Sequence, residues 1–239
     1  MVKLLKKEKI IVDKLSIFLK ISVFLGTGLT IFSIIFIIGH ILIKGIPFFN
    51  ISLFYWKYTS ENVSMMPALI NTIMVVILAL FFAIPIGIGS SIYLTEYSKK
   101  EGRIGNIVRI ATETLSGIPS IIYGLFGSLF FVKFLNLGIS IISGAITLSI
   151  MVLPLIMRTT EEALLSVSDS YREGSFALGA GKLRTIFKII LPSALSGIFS
   201  GIALATGRII GESAALIFTA GTVAEVATSI FSSTRTLAV

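Results

Sequence analysis

Arg208 and Glu212, at the end of the last long apolar stretch of the chain, are the residues most suited to chemistry by type and spacing. An ionisable side chain in a spanning segment is costly to insert, so it normally has a function or a partner. The two sit four positions apart, which puts them on one face of a helix. Two readings follow. As a self-neutralising pair they lower each other's insertion cost. As a transport site, Arg208 faces a pathway and meets an anion, because a guanidinium fork matches oxyanion oxygens in bidentate fashion. Glu212 then tethers Arg208 when the site is empty, or rejects a competing anion geometry. On an unbroken helix Arg208 lies about 24 Å from Pro192, midway across a membrane or in its outer half.

A second constellation occupies residues 171–192. Residues 161–167 continue a helix, and Ser168, Asp169 and Ser170 break it. Ser170, followed three residues later by Glu173, has the form of a capping box. The helix it starts ends at Gly179, a natural left-handed stop. A basic amphipathic stretch follows, with Leu183, Ile186 and Phe187 on one side and Lys182, Arg184 and Lys188 elsewhere. Pro192 then opens the next span. Helix signals alone leave two alternatives, a hairpin lying on the membrane surface or a docking helix for a soluble partner. Gly179-Ala180-Gly181-Lys182 looks like the tail of a phosphate-binding loop, but Phe176 and Leu183 occupy the places where that motif needs Gly and Ser or Thr. No ATP site is expected in this chain.

These residues are positioned by an apolar framework. Hydrophobic residues make up 55% of the 239 positions and charged residues 13%, whereas a soluble domain carries about a quarter charged residues. There is no cysteine and one histidine, which excludes thiolate metal sites and leaves no basis for a histidine cluster. That lone imidazole, His40, has no serine motif beside it, so an intramembrane hydrolase has nothing to work with. Glu113 and Arg158 fall at the edges of apolar tracts, where an interfacial role is the simpler reading. The net charge of +8 is accounted for by positive loops on one side of a membrane rather than by nucleic acid.

A bilayer core of about 30 Å calls for about 20 apolar residues in a helix. Charge-free tracts at 21–43, 67–95, 114–132, 134–157 and 189–207 meet or approach that length. The third and fourth read as a helical hairpin turned at 136–138. The first, with Lys3, Lys6, Lys7 and Lys9 ahead of it, is too long for a cleavable signal and has no small-residue cleavage site after it. Pro85, Pro119 and Pro154 fall inside tracts, as spanning helices allow. Basic residues concentrate in the N-terminal segment, at 99–109 and at 158–188, which puts the N-terminus and those loops in the cytoplasm and the 44–66 loop outside. That outer loop is rich in aromatic residues, suited to contact with lipid at the interface. The tract at 213–224 is too short to cross.

The spacing in the loop separates the alternatives. Glu173-Gly174-Ser175, three residues, Gly179, nine residues, Ile189, one residue, Leu191-Pro192 resembles the Glu-Ala-Ala loop of ABC importer permeases, with Gly174 and Ser175 where two alanines are usual. Ser116-Gly117-Ile118-Pro119-Ser120, Met151-Val152-Leu153-Pro154 and Gly207-Arg208-Ile209-Ile210-Gly211-Glu212 narrow the resemblance to phosphate importer permeases of the PstA type, over residues 67–239. The resemblance implies an all-α, polytopic bundle of the type I, MetI-like class. It divides into residues 1–66, with the N-terminal segment, first spanning helix and outer loop, and a core at 67–239 whose coupling loop is 159–192. It implies five spans here and a sixth beyond Val239. Its family partners are a related permease of the PstC type, a dimer of the ATPase PstB, which holds the ATP, and the extracytoplasmic phosphate-binding protein PstS. Glu173, Gly174, Ser175, Gly179, Ile189, Leu191 and Pro192 then belong to the coupling element. Arg208 and Glu212 match an Arg and Glu of that family's motif. A permease for molybdate or sulfate is the neighbouring alternative, and a secondary transporter would have no use for the docking loop.

Overall fold

The computed structural model describes the backbone of residues 2–98 and 102–239, and the side chains of 14–98 and 102–239. Lys99 and Lys100, and the side chains of Lys3, Lys6, Lys7 and Lys9, lie outside that description, so the sidedness drawn from them has no structural counterpart. All regular structure among the described residues is helical. The chain forms two compact units, Met1–Ile51 and Ser52–Val239.

The first unit is one long helix, α1 (Val2–Gly45), extended by a short turn at Ile46–Phe48 with Pro47 as its second residue. The stretch Lys14–Phe48 is long and apolar enough to cross a membrane. Within it the hydroxyls of Ser22, Thr30 and Ser33 each donate to the carbonyl four residues earlier, so none of these hydroxyls needs water.

The second unit is built around α5 (Ile141–Leu165), which packs along α2 (Met66–Ile92) on one side and α8 (Leu191–Ile210) on the other. Val75, Ala79 and Ala83 of α2, Leu148, Val152 and Ile156 of α5, and Ala205 and Ile209 of α8 form the main core. Small residues set the spacing, because helices in lipid gain little from hydrophobicity and associate through close contact. A Cβ added at Gly197 of α8 would lie 2.6 Å from the Cβ of Ala163 on α5, so the two backbones meet there. Ser140 caps α5, its hydroxyl accepting from the Ser143 N–H.

Among the described residues four helices are long and apolar enough to span, and a bent pair makes a fifth span if its two arms are counted as one. The pair is α3 (Arg103–Ser116) and α4 (Ser120–Gly127), the latter continued by a π-helical turn at Ser128–Phe134. The two are bent by 102°, which corrects the single tract expected at 114–132. Pro119 has no N–H to give and disfavours helical geometry at Ile118. The Tyr123 hydroxyl closes the break by donating to the Leu115 carbonyl at 2.7 Å. The fourth span begins at Ile141 rather than 134, since Asn136 and Gly138 both take left-handed backbone angles (φ +52° and +67°). These make the hairpin turn expected there.

Two further boundaries differ. Pro192 does not open the last span. A helical run begins at Lys182 with α7 (Lys182–Thr185), passes a π-helical turn at Ile186–Ile190 and enters α8. Of the three apolar residues expected on one face, Ile186 is buried, while Leu183 and Phe187 are exposed. Leu183 sits in the first turn of α7, where Lys182 and Arg184 are exposed as well, and Phe187 is one position, or about 100°, round from Ile186.

Beyond α8, the short helix α9 (Ala214–Thr219) packs on α4 and α5. Residues 220–239 then run without regular structure over the ends of α2 and α5. The fully buried side chain of Asn71 donates to the carbonyls of Glu225 (2.8 Å) and Arg235 (3.2 Å) and accepts from the Ala227 N–H (3.0 Å). The Thr72 hydroxyl accepts from the Leu237 N–H at 2.9 Å.

Candidate functional site

The loop at 166–192 folds into α6 (Asp169–Ala177), a tight stop, and α7. The cap of α6 is Ser168, whose hydroxyl accepts from the Ser170 N–H, and Ser170 is already inside the helix. This corrects the capping box expected from Ser170 and Glu173. Ser168 has extended angles (φ −56°, ψ 136°), as a cap requires. At the other end, Gly179 has φ +78°. Its N–H bonds the Phe176 carbonyl at 2.9 Å, and the Ala180 N–H bonds the Ser175 carbonyl at 3.1 Å. That pair of bonds is a Schellman stop, with glycine in the one position that needs a left-handed residue.

The residues singled out in the loop therefore have distinct places. Ser175 is buried, and its hydroxyl meets that of Thr185 on α7 at 2.8 Å. Gly174 has open space where a Cβ would stand. Glu173 is exposed. Ile189 and Leu191 pack against a second core cluster formed by Ala163, Leu164, Val167, Ile190, Ala194 and Ile198. Pro192 occupies the first turn of α8. On the outer side of the loop, Tyr171, Phe176, Leu178 and Leu183 are exposed, Leu178 by 90%.

Three residues that the spacing does not reveal hold this loop to the bundle. The guanidinium of Arg172 donates to Glu96 Oε1 from Nε (3.1 Å) and Nη2 (2.8 Å), to the Leu164 carbonyl (3.1 Å), to the Val167 carbonyl (3.0 Å) and to Asp169 Oδ1 (3.1 Å). Glu96 stands in a π-helical turn at Tyr93–Tyr97 that continues α2. The Lys182 ammonium donates to the main-chain carbonyl of Glu96 and lies 4.3 Å from the centre of the Tyr97 ring. The one sequence signal is Glu96 itself, a carboxylate directly after a charge-free tract.

Arg208 and Glu212 are not joined as the spacing implied. The helix stops at Ile210, with Gly211 as its C-cap, so the two no longer share a helical face. Glu212 is buried, and its Oε1 accepts from the Ala215 N–H at 3.1 Å, satisfying the first turn of α9. Arg208 is exposed and has no ion pair among the described residues.

Glu113 and Arg158 line a cavity of about 290 Å³ between α3 and α5, together with Arg109, Pro154, Glu161 and Glu162. Two ion pairs edge it: Arg109 with Glu161 at 2.7 Å, and the exposed Arg158 with Glu162 at 3.0 Å.

An all-helical membrane bundle with a short, capped helix displayed on a loop between two of its spans defines the permease class of membrane transport component. The chain belongs to the family of binding-protein-dependent transport system inner membrane components, whose model matches residues 83–237. It is 39% identical over 153 residues to the probable ABC transporter permease protein YqgI of Bacillus subtilis, covering 64% of this chain and 52% of that one. A phosphate transport system permease protein PstA homolog of Mycoplasma genitalium is 34% identical over 227 residues, covering 90% of this chain and 34% of the other. The PstA protein of Haemophilus influenzae is 35% identical over 202 residues, with 84% and 70% covered. The chain thus spans about half the length of the Bacillus relative and a third of the mycoplasma one. A solved structure of the MetNI methionine ABC transporter, 22% identical, aligns with 59% of this chain and 65% of that chain at a TM-score of 0.49.

Proposed function

We propose that this chain is a permease subunit of an ATP-driven importer of inorganic phosphate in the cytoplasmic membrane. The observation that carries the proposal is α6, whose sequence spacing fits the Glu-Ala-Ala pattern. It is closed at both ends, seated on the bundle through Ser175 and Arg172, and free on its outer side, where Tyr171, Phe176 and Leu178 are exposed. An apolar rim on a rigid element suits insertion into a groove of a cytoplasmic ATPase. Nucleotide belongs to that ATPase dimer, since the Gly-rich turn of this loop is a helix stop. The N-terminus and the loop then share the cytoplasmic side, a related permease completes the pathway, and a binding protein delivers substrate from outside. The PstA-named relatives support phosphate as the substrate.

Arg208 is the residue proposed to meet the anion. Its guanidinium is exposed and lacks a carboxylate partner among the described residues, which leaves its donors for a ligand, while Glu212 supports the site by holding α9. In the assembled importer reconstituted in proteoliposomes, Arg208→Gln is expected to abolish uptake of labelled phosphate while the ATPase still co-purifies. Normal uptake by that variant overturns the anion role. Uptake that molybdate or sulfate suppresses more effectively than phosphate overturns the substrate. Substitutions at Glu173 and Gly179 are expected to do the reverse, weakening co-purification or leaving ATP hydrolysis unstimulated.

A further inference from the structure

We propose that the Arg172–Glu96 ion pair is the strut through which movement of α6 reaches α2, making both positioning residues for transport. The inference rests on α6 being the docking helix and adds how its displacement is carried.

A helix of nine residues between two turns does not transmit force by itself. Ser166–Ser168 on one side and the Gly179–Gly181 turn on the other let it pivot. Arg172 removes that freedom. One guanidinium grips the Leu164 carbonyl at the end of α5, the Val167 carbonyl in the link that follows, Asp169 in the first turn of α6 and the carboxylate of Glu96 on the extension of α2. The Arg172 and Glu96 side chains are only 16% and 9% exposed, so water and salt screen the pair far less than a surface contact. The planar fork also fixes an orientation, which a lysine at the same place would not.

The far side of the loop is fastened to the same turn. Lys182, the first residue of α7, reaches the Glu96 carbonyl and the Tyr97 ring. Two points of the loop, before and after its stop, are thus tied to one turn of α2 at 93–97. That turn is π-helical, a form that concentrates at functional sites. Since α2 packs along α5 over most of its length, a pull on this turn moves the centre of the bundle, whereas without it α6 swings on its own hinges.

The test is Glu96→Gln in the importer assembled with its partner chains, which keeps the side-chain shape and removes the charge. The readout is phosphate transported per ATP hydrolysed in proteoliposomes. The expected result is intact co-purification with the ATPase and at least a tenfold fall in that ratio. A merely structural lesion lowers hydrolysis and uptake together and leaves the ratio unchanged, which overturns the strut. Should Glu96→Gln fail to assemble, Arg172→Lys decides: it keeps the charge and removes the fork that joins Glu96 to the Leu164 and Val167 carbonyls, and a twofold to fivefold fall in the ratio upholds the strut, while an unchanged ratio overturns it. Leu178→Asp on the exposed rim separates this proposal from the reading beneath it. If that variant still co-purifies with the ATPase, α6 is not the docking helix. If it loses the ATPase while Glu96→Gln keeps the wild-type ratio, only the strut is wrong.

Discussion

The hydroxyls of Ser175 and Thr185 meet at 2.8 Å in a buried position and join α6 to α7 across the helix stop. Thr185 also donates to the Gly181 carbonyl at 3.2 Å, so Ser175 is the donor between the two hydroxyls. The consequences of removing each are unequal. Ser175→Ala, which restores the residue usual in the Glu-Ala-Ala pattern, leaves Thr185 with a partner and is expected to cost about 1 kcal/mol. Thr185→Val strands the buried Ser175 hydroxyl and is expected to cost about 1–3 kcal/mol. Thermal unfolding of the purified protein checks the order, and equal losses contradict it.

Two glycines of the same loop respond in opposite directions. Gly174 lies inside α6, with nothing within 4 Å of the point a Cβ would occupy, so Gly174→Ala is expected to stabilise the helix by about 1 kcal/mol. Gly179 holds φ +78°, and Gly179→Ala forces an L-residue into a left-handed conformation at a cost of about 1–2 kcal/mol. Hydrogen exchange of the α6 amides reads both, slower in the first variant and faster in the second.

The helix stop and the departures from the alanine pattern are legible in the sequence because they depend on neighbours in the chain. So are the spans α2, α5 and α8, whose apolar runs have no competing signal, and the 136–138 turn. What is not legible depends on partners far away in sequence. The cap of α6 is ambiguous locally because Ser168, Asp169 and Ser170 are all good caps. The structure selects Ser168, where Arg172 binds the Val167 carbonyl and Asp169. The bend between α3 and α4 is hidden because a proline inside an apolar run is ordinary in a spanning helix. Spacing sets Arg208 and Glu212 on one face, yet Gly211 ends the helix between them. Glu96 and Arg172 are 76 residues apart, and no local pattern pairs them.

Asn71 carries a load that its surroundings conceal. One buried amide serves three main-chain groups of the 220–239 segment, and each buried group left without a partner costs about 1–3 kcal/mol. Asn71→Leu is therefore expected to release that segment, seen as faster hydrogen exchange and protease cleavage within 222–238 while the cores of α5 and α8 stay protected. Thr72→Val removes the acceptor for Leu237 and a donor to the Ala68 carbonyl within α2, and is expected to loosen only the last few residues of the segment. Unchanged protection in Asn71→Leu contradicts the clamp.

The contact between α5 and α8 offers a test of how the bundle is held. At Gly197 a Cβ would come within 2.6 Å of the Ala163 Cβ and 3.5 Å of its Cα, and neither backbone can yield without parting the helices. Lipid solvates apolar side chains as well as a neighbouring helix does, so a small separation is not repaid by burial elsewhere. Gly197→Ala is expected to destabilise the protein by about 1–3 kcal/mol, the range for overpacking a fitted contact. The double variant Gly197→Ala/Ala163→Gly moves the methyl group from one helix to the other and keeps the summed volume. It is expected to recover most of the loss, because the helix spacing is restored even though a glycine now sits within α5. Unfolding midpoints of the two single variants and the double variant in lipid nanodiscs give the coupling directly. If the double variant is as unstable as the sum of the singles, close approach at this point is not what joins α8 to α5.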